Sequence, residues 1–314
     1  MNDVSQSDSK LVWDWKIIAL LIGIHVGALV GSLFFSWEGL VLLVILYAIS
    51  GLGVTIGYHR YFTHKSFKTT QWFEKVLGIS GALSGEGDVI GWVAKHNLHH
   101  KHSDTPEDPH SPSYGGFLHS HVYWMMRKSN PQLRYAGKAI LENPFLKWLH
   151  QWYSVIHLLV IAALAALGFA YGWFVHPHVF AWYKWEWVSL SPAWTGAFFL
   201  ASFVGYAYFL RVVLVLNATW SVNSLSHMYG SRPYQEYATD DSRNNWFVAL
   251  ISHGEGWHRN HHIWPKSYHH GVEWWQYDPS AWIIWLLSLP GITWDLKTFK
   301  IPSVRGELET ADRD

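Results

Sequence analysis

Apolar positions in this chain are not spread as in a soluble domain but gathered into long runs. The first extends from Ile17 to about Phe35 and the second from Leu40 to about Gly57, joined by the turn Ser36-Trp37-Glu38-Gly39. Two more extend from Val155 to about Phe174 and from Ala193 to about Leu216. A helix needs about 20 apolar residues to cross a bilayer. The pattern therefore predicts four transmembrane helices at about 17–35, 40–57, 155–174 and 193–216, the last running on as helix to His227. Two opening runs in quick succession after a tail of mixed charge resemble a retained hairpin more than a cleaved signal peptide. Gly51, Gly53 and Gly57 would let another helix approach the second span closely.

Between the spans lies a long polar excursion, residues 58–150. Within it Trp72 to Leu83 is apolar but too short to span, and reads as an interfacial helix. Residues 175–192 form an aromatic-rich connection at the membrane surface. Trp274-Trp275 and Trp282 to Leu289 suggest a second interfacial helix, and residues 1–15 and 301–314 read as polar tails. Lys and Arg set the orientation. Residues 58–154 carry eleven, the N-terminal tail two and residues 221–314 eight, whereas 36–39 carry none and 175–192 only Lys184. Both termini and the polar excursions are thus expected in the cytosol. The expected fold is an all-α, multi-pass integral membrane protein, one domain of four spans under a cytosolic helical cap.

Composition narrows the chemistry. The 314 residues have zero formal net charge and are 50% apolar, with 22 Trp and no Cys. Balanced charge without a basic stripe argues against a nucleic-acid partner. The lack of Cys excludes disulfides, thiol nucleophiles and Cys-ligated clusters.

Histidines supply the chemistry instead. His59-Arg60-Tyr61-Phe62-Thr63-His64, His96-Asn97-Leu98-His99-His100 and His258-Arg259-Asn260-His261-His262 contain eight of the 21 histidines, and His227 follows Asn223 as a ninth. Residues three and four apart share a helix face. His96, His99 and His100 can therefore point into one cavity, as can His258, His261 and His262. Imidazole suits iron, zinc and copper. Nine histidines are too many for one ion and about right for two. Zinc fits the ligands but has no redox chemistry. Iron can activate dioxygen, and a saturated lipid chain offers only unactivated C–H bonds, so iron is the expected metal.

At this point the chain resembles the integral-membrane fatty acid desaturases, and most closely their Δ9 branch of stearoyl-CoA and cyanobacterial acyl-lipid enzymes. The resemblance rests on Gly57-Tyr58 with the first box, on His96 to Pro109, on Asn223-Ser224-Leu225-Ser226-His227 and on Gly254-Glu255-Gly256-Trp257 leading into the last box, and covers roughly Leu40 to Lys300. It implies a di-iron centre (two Fe2+) held by His59, His64, His96, His99, His100, His227, His258, His261 and His262, with Asn223 reaching one iron through a water. It also implies a cis double bond made with dioxygen and two electrons, at Δ9 of a saturated C16–C18 acyl chain carried as acyl-CoA or glycerolipid. Without Cys or a Gly-x-Gly-x-x-Gly motif, the electrons are expected from a separate ferredoxin or small haem protein. A hydroxylase with the same ligands and a histidine-rich metal transporter are the alternatives. Asn97, where relatives often have Arg, and Arg259-Asn260 depart from the family pattern at positions expected near the substrate head group.

Other residues have two readings each. Asp104, Glu107 and Asp108, and separately Glu255, either orient imidazole N–H groups or belong to solvated turns. Arg127 and Lys128 either bind a head-group phosphate or snorkel at the interface. Arg211 inside the last apolar run is either functional or snorkelling. His25 and His157 are expected to be hydrogen-bonded within the bundle.

Overall fold

The structure, a computed structural model, describes residues 12–128, 132–175, 178–181 and 186–299. Most of both predicted tails, and Lys184, lie outside these residues. Helix α1 (Trp15–Gly31) starts under the Asp14 cap, whose side chain accepts from the backbone N–H groups of Lys16 and Ile17. Ser36 caps α2 (Trp37–Leu52) in the same way, and its hydroxyl also meets that of Ser202 at 2.8 Å. The chain then forms α3 (Gln71–Ala82), α4 (Val89–His102), α5 (Pro112–Leu118) and α6 (Lys138–Glu142) before α7 (Pro144–Phe174). Helices α8 (Pro192–Phe203) and α9 (Arg211–Met228) follow, joined without a break, and α10 (Trp246–Ile251), α11 (His258–Ile263) and α12 (Pro279–Ser288) complete the helices.

Three helical segments are long and apolar enough to cross a membrane: Trp37–Thr63, Pro144–Phe174 and Pro192–Met228. The last runs to His227, as predicted. Its neighbour begins earlier than predicted because Asn143 caps it, with Pro144 in the first turn where its missing N–H costs nothing. The remaining predicted span, α1, is apolar but has only 17 residues, about 25 Å of helix against a hydrocarbon core of about 30 Å.

The second span ends later than its apolar run suggests. Helix α2 widens into a π-helical stretch, Gly53–Thr63, so His59 stands inside the helix and not beyond its end. The widening has a purpose in the geometry. Residues five apart on an α-helix point about 140° away from each other. Here the His64 N–H donates to the His59 carbonyl at 3.1 Å, and the two rings lie 4.8 Å apart. Single π turns of this kind occur often at functional sites.

Close backbone contact fixes this segment. A Cβ on Gly53 would lie 2.3 Å from the Gly81 nitrogen, and one on Gly57 2.9 Å from the Leu77 carbonyl oxygen, so α3 crosses where the sequence predicts a close approach. Below the histidines, Ile56, Tyr58, Phe62, Leu77, Val93, Leu149 and Ile284 form one buried cluster joining α3, α4, α7 and α12 to the tip of the span. Both α3 and α12 leave apolar side chains exposed on the opposite face, among them Trp72 and Val76, and Trp282 and Trp285, as an interfacial helix would. The connection at 175–192 contains a strand pair, His178–Ala181 with Glu186–Ser189 antiparallel, that the sequence reading did not include.

The three polar residues placed inside apolar runs find partners. His25 Nδ1 lies 2.8 Å from the Leu21 carbonyl, and His157 bonds the Ala82 carbonyl and the Tyr208 hydroxyl. Arg211 does not snorkel. It is buried, donates to the carbonyls of Ala207 and Leu83, and sits over the Tyr208 ring.

Helix α1 meets the last span at a second π-helical stretch, Val204–Leu210, where a Cβ on Gly205 would fall 2.4 Å from the Gly31 Cα. A Gly205→Leu substitution should therefore cost about 1–3 kcal/mol by overpacking. The melting temperature in detergent checks this, and an unchanged value would mean that α1 moves aside freely.

Candidate metal centre

Four elements bring the nine histidines together. The π-helical stretch carries His59 and ends at His64, α4 supplies His96, His99 and His100, α9 supplies His227, and α11 supplies His258, His261 and His262. They form two groups: His59, His64, His96, His100 and His261 in one, and His99, His227, His258 and His262 in the other. Each H-x-x-H-H run is split between the groups, because neighbours in the run point about 100° apart on the helix. His96 and His100 face one centre and His99 the other, where the sequence reading had all three facing one cavity.

The Nε2 atoms converge. In the first group the separations are 3.0 Å for His59–His261, His64–His96 and His96–His100, and 2.9 Å for His100–His261. In the second they are 3.0 Å for His227–His258 and His258–His262, and 3.3 Å for His99–His262. Hydrogen bonding does not account for these contacts. His99 and His262 each face a carboxylate with Nδ1, which puts the ring proton there and leaves only a lone pair on Nε2. Two such lone pairs at 3.3 Å repel unless a cation lies between them. Imidazole nitrogens bound at about 2.1 Å and at right angles to one another are about 3.0 Å apart. The donor set thus fits metal ions, one in each group.

Carboxylates stand behind the rings. Asp108 Oδ2 is 3.0 Å from His99 Nδ1, Asp104 Oδ2 is 2.9 Å from His227 Nδ1, and Glu255 Oε2 is 2.5 Å from His59 Nδ1. Asp240, which the sequence reading missed, holds His262 Nδ1 at 3.2 Å. Its place in an irregular loop, 22 residues before its partner, gave no spacing to notice. Glu107 instead sits on an exposed turn, bonded to the Thr105 hydroxyl. Burial raises the Asp104 carboxyl, but the hydrogen bond and charge of His227, together with hydrogen bonds from the Asp241 backbone and Ser111, outweigh it and leave the pKa at about 2. Burial pushes Glu255 up to about 7 although Arg60 lies beside it. His270, also unpredicted, is buried with neither ring nitrogen hydrogen-bonded, 4.5 Å from the His261 ring.

Other predicted residues sit elsewhere. Asn97 donates to the Tyr135 carbonyl. Arg127 lies over the Trp13 ring and Lys128 pairs through its backbone with Val12. Arg259 and Asn260 are fully occupied inside the protein. Arg259 donates to carbonyls of the 233–240 loop, and Asn260 bonds Asn244, Gln276 and the His270 carbonyl. Both are buried, which leaves them no surface to offer a head group.

Beside the histidines, a cleft runs between α2, α9 and the end of α10. His59, His96 and His258 reach its wall, with Trp92, Asn223, Val54, Val215 and Tyr47 among the other lining residues. Trp92 stacks on His96 at 4.9 Å. At the far end the Tyr47 hydroxyl donates to the Ile251 carbonyl at 2.5 Å.

These features define a class: helical membrane proteins that gather imidazoles, without a single thiolate, into a paired metal-binding centre against an apolar cleft. Comparison with known proteins makes it specific. The family model described as fatty acid desaturase matches residues 35–289, and the chain belongs to that family. It is 36% identical over 289 residues to a protein from Anabaena variabilis named sn-1 stearoyl-lipid 9-desaturase, covering 90% of this chain and 94% of that one. A protein of the same name from Synechocystis sp. is 36% identical over 298 residues, covering 93% and 83%. An acyl-CoA 5-desaturase from Anemone leveillei is 35% identical over 308 residues, covering 94% and 85%. The protein is a membrane-bound oxidoreductase, a fatty acid desaturase.

Burial, reinforced by neighbouring imidazoles, holds His64, His96, His100, His258 and His261 well below 6.5. The Asp104 carboxylate raises His227 against its burial, whereas these five rings are neutral in the folded site and ready to bind cations. An unfolded chain takes up protons on these groups below 6.5 and the folded one does not. Stability of the metal-free protein should therefore be complete above that pH and fall as the pH drops through about 6.5 towards 5. Thermal melting after chelation, compared across that window, checks the sign. A melting temperature that rises on acidification would contradict it.

Proposed function

We propose that this chain inserts a cis double bond at carbon 9 of a saturated acyl chain of stearoyl or palmitoyl length, using two iron ions. The observation that carries the reading is the convergence of nine Nε2 atoms into two groups at the wall of an apolar cleft. Relatives named as 9-desaturases of stearoyl and palmitoyl lipids support the position and the substrate. In the reaction two hydrogens leave adjacent carbons and dioxygen becomes two waters, with two electrons and two protons supplied from outside. Bound iron would supply the oxidising power for C–H cleavage.

The protein's own residues place the substrate and keep the site dry. Val54, Val215, Ala218 and Val222 give the cleft an apolar wall for methylene groups, and Trp92 covers His96. Successive methylenes are chemically alike, so the position of the bond is set by how far the chain enters. Tyr47 stands twelve residues before His59 on one continuous helix, about 18 Å away along its axis, where it closes the cleft. Asn223, one helical turn before His227, lines the same cleft, and in this reading it would reach the metal through a water. Asp104, Asp108, Asp240 and Glu255 keep their imidazoles turned inward.

The reading extends to the membrane. Helix α1 forms a fourth span with the three longer ones, and both termini and the histidines lie on the cytosolic side, where Lys and Arg concentrate. The electrons come from a separate protein, a ferredoxin or small haem protein, since the sequence has no Cys to hold an iron–sulfur cluster.

The test is expression in a host without its own desaturase, with the double bonds located by derivatisation and mass spectrometry. New cis-Δ9 monoenes are expected. Bonds added only to unsaturated chains, or hydroxy acids, would overturn the reading, and hydroxy acids would point to the hydroxylase. His261→Ala should leave about half the iron per chain and no detectable product. Tyr47→Ala should shift the preferred chain length upward by roughly tenfold in relative kcat/KM, the low end of what a misfitting methylene is worth in an apolar pocket, without moving the double bond.

A further inference from the structure

The two histidine groups differ in what stands behind them. In the four-imidazole group three rings have a carboxylate on Nδ1: His227 has Asp104 at 2.9 Å, His99 has Asp108 at 3.0 Å and His262 has Asp240 at 3.2 Å. Among the described residues the five-imidazole group has one, Glu255 on His59 at 2.5 Å. No carboxylate of the described residues pairs with His64, His96, His100 or His261, and the Nδ1 of His261 is buried with no hydrogen-bond partner.

Compensating cations are placed unequally too. Arg60, wholly buried, holds Glu255 Oε1 at 3.2 Å with one arm and Asp278 at 3.0 Å with the other. In the four-imidazole group Arg259 lies 3.4 Å from Asp240. Asp104 and Asp108 have no Lys or Arg partner among the described residues. Asp104 accepts from the Ser111 hydroxyl and the Asp241 backbone, and Asp108 from the backbone of Asp104 and His110. One group is backed by three acids and one arginine, the other by one acid, Glu255, that shares its arginine with Asp278.

An imidazole that gives its second proton to a carboxylate is a stronger donor to metal, and losing such a partner costs about 10–100-fold in affinity. The uncompensated charges of Asp104 and Asp108 also attract a cation directly through a poorly screening interior. The five-imidazole group has one more neutral donor, which adds a bond but no charge. We propose that the two metal positions are unequal, and that the position built from His99, His227, His258 and His262 fills first and empties last. This rests on the two-iron reading above. Asp104, Asp108 and Asp240 are the positioning residues that set the order.

The experiment is a stepwise chelator titration of the purified, iron-loaded, full-length protein, with iron per chain and the iron-57 Mössbauer spectrum read at each step. Two phases of about one ion each are expected, at least about tenfold apart in chelator concentration. Asp104→Asn and Asp108→Asn should each weaken the tight phase by about 10–100-fold and leave the loose one in place, whereas Glu255→Gln should move only the loose phase. A single phase that releases both ions together would overturn the order while leaving the two-iron reading intact, and this result needs no variant. A tight phase that moves with Glu255→Gln would reverse the order. Fewer than two ions per chain at saturation would overturn both readings.

Discussion

Imidazole lone pairs brought face to face in a buried space repel one another, and only a cation between them turns that repulsion into attraction. The centre of this protein depends on that exchange. His59, His64, His96, His100 and His261 on one side, and His99, His227, His258 and His262 on the other, come from four separate segments of the chain. Two of the nine come from the π-widened helix and its end, three from α4, one from the end of α9 and three from the short helix α11. The carboxylates behind the rings serve the same end, since each fixes the proton on Nδ1 and so commits Nε2 to the centre.

A second constraint is the burial of charge near a membrane. Arg60, Arg211 and Arg259 are all enclosed, and each is answered locally. Arg60 is paired with Glu255 and Asp278, Arg211 with two backbone carbonyls and a tyrosine face, and Arg259 with a ring of loop carbonyls and Asp240. Arginine suits this role because its planar fork donates in several directions at once and is weakly hydrated. The pairing of Asp278 with the backbone N–H groups of His270 and Ala281 extends the network into the start of α12. The site is thereby tied to α12 through polar contacts, while α3 is held against the span by close glycine contacts, by the packing of Leu77 and by the Tyr61–Glu74 hydrogen bond.

Much of this was legible in the sequence because it rests on local spacing. Apolar runs marked the long helices, the glycines at 53 and 57 marked the close crossing while Gly51 faces the His253 ring, and the histidine spacings marked the centre. What was not legible depends on tertiary placement. Nothing in Gly53–Thr63 announces that the helix will widen, although without widening His59 and His64 would point apart. Asp240 sits in an irregular loop with no periodic relation to His262. Arg211 looks able to reach the interface until Leu83 and Ala207 are seen to enclose it. Arg259 and Asn260, inside the last histidine run, seemed free to touch a substrate but hold the protein's own loops. The run at 175–192 was read by its aromatics, which do not distinguish a surface connection from a short hairpin.

The five-imidazole group has a further consequence for how the protein comes to exist. It combines His59 with His261, and the other group takes in His258 and His262, so each centre needs residues from the last histidine box. A ribosome adds about 5–20 residues each second. The first box therefore waits on the order of 10–40 s for the third, and the second box somewhat less. During that interval one group holds four imidazoles, His59, His64, His96 and His100, and the other only His99 and His227, both open to whichever divalent cation is nearby. Imidazole sites generally favour copper and zinc over ferrous iron. The identity of the metal is thus decided by supply and timing during biogenesis as much as by the finished coordination shell.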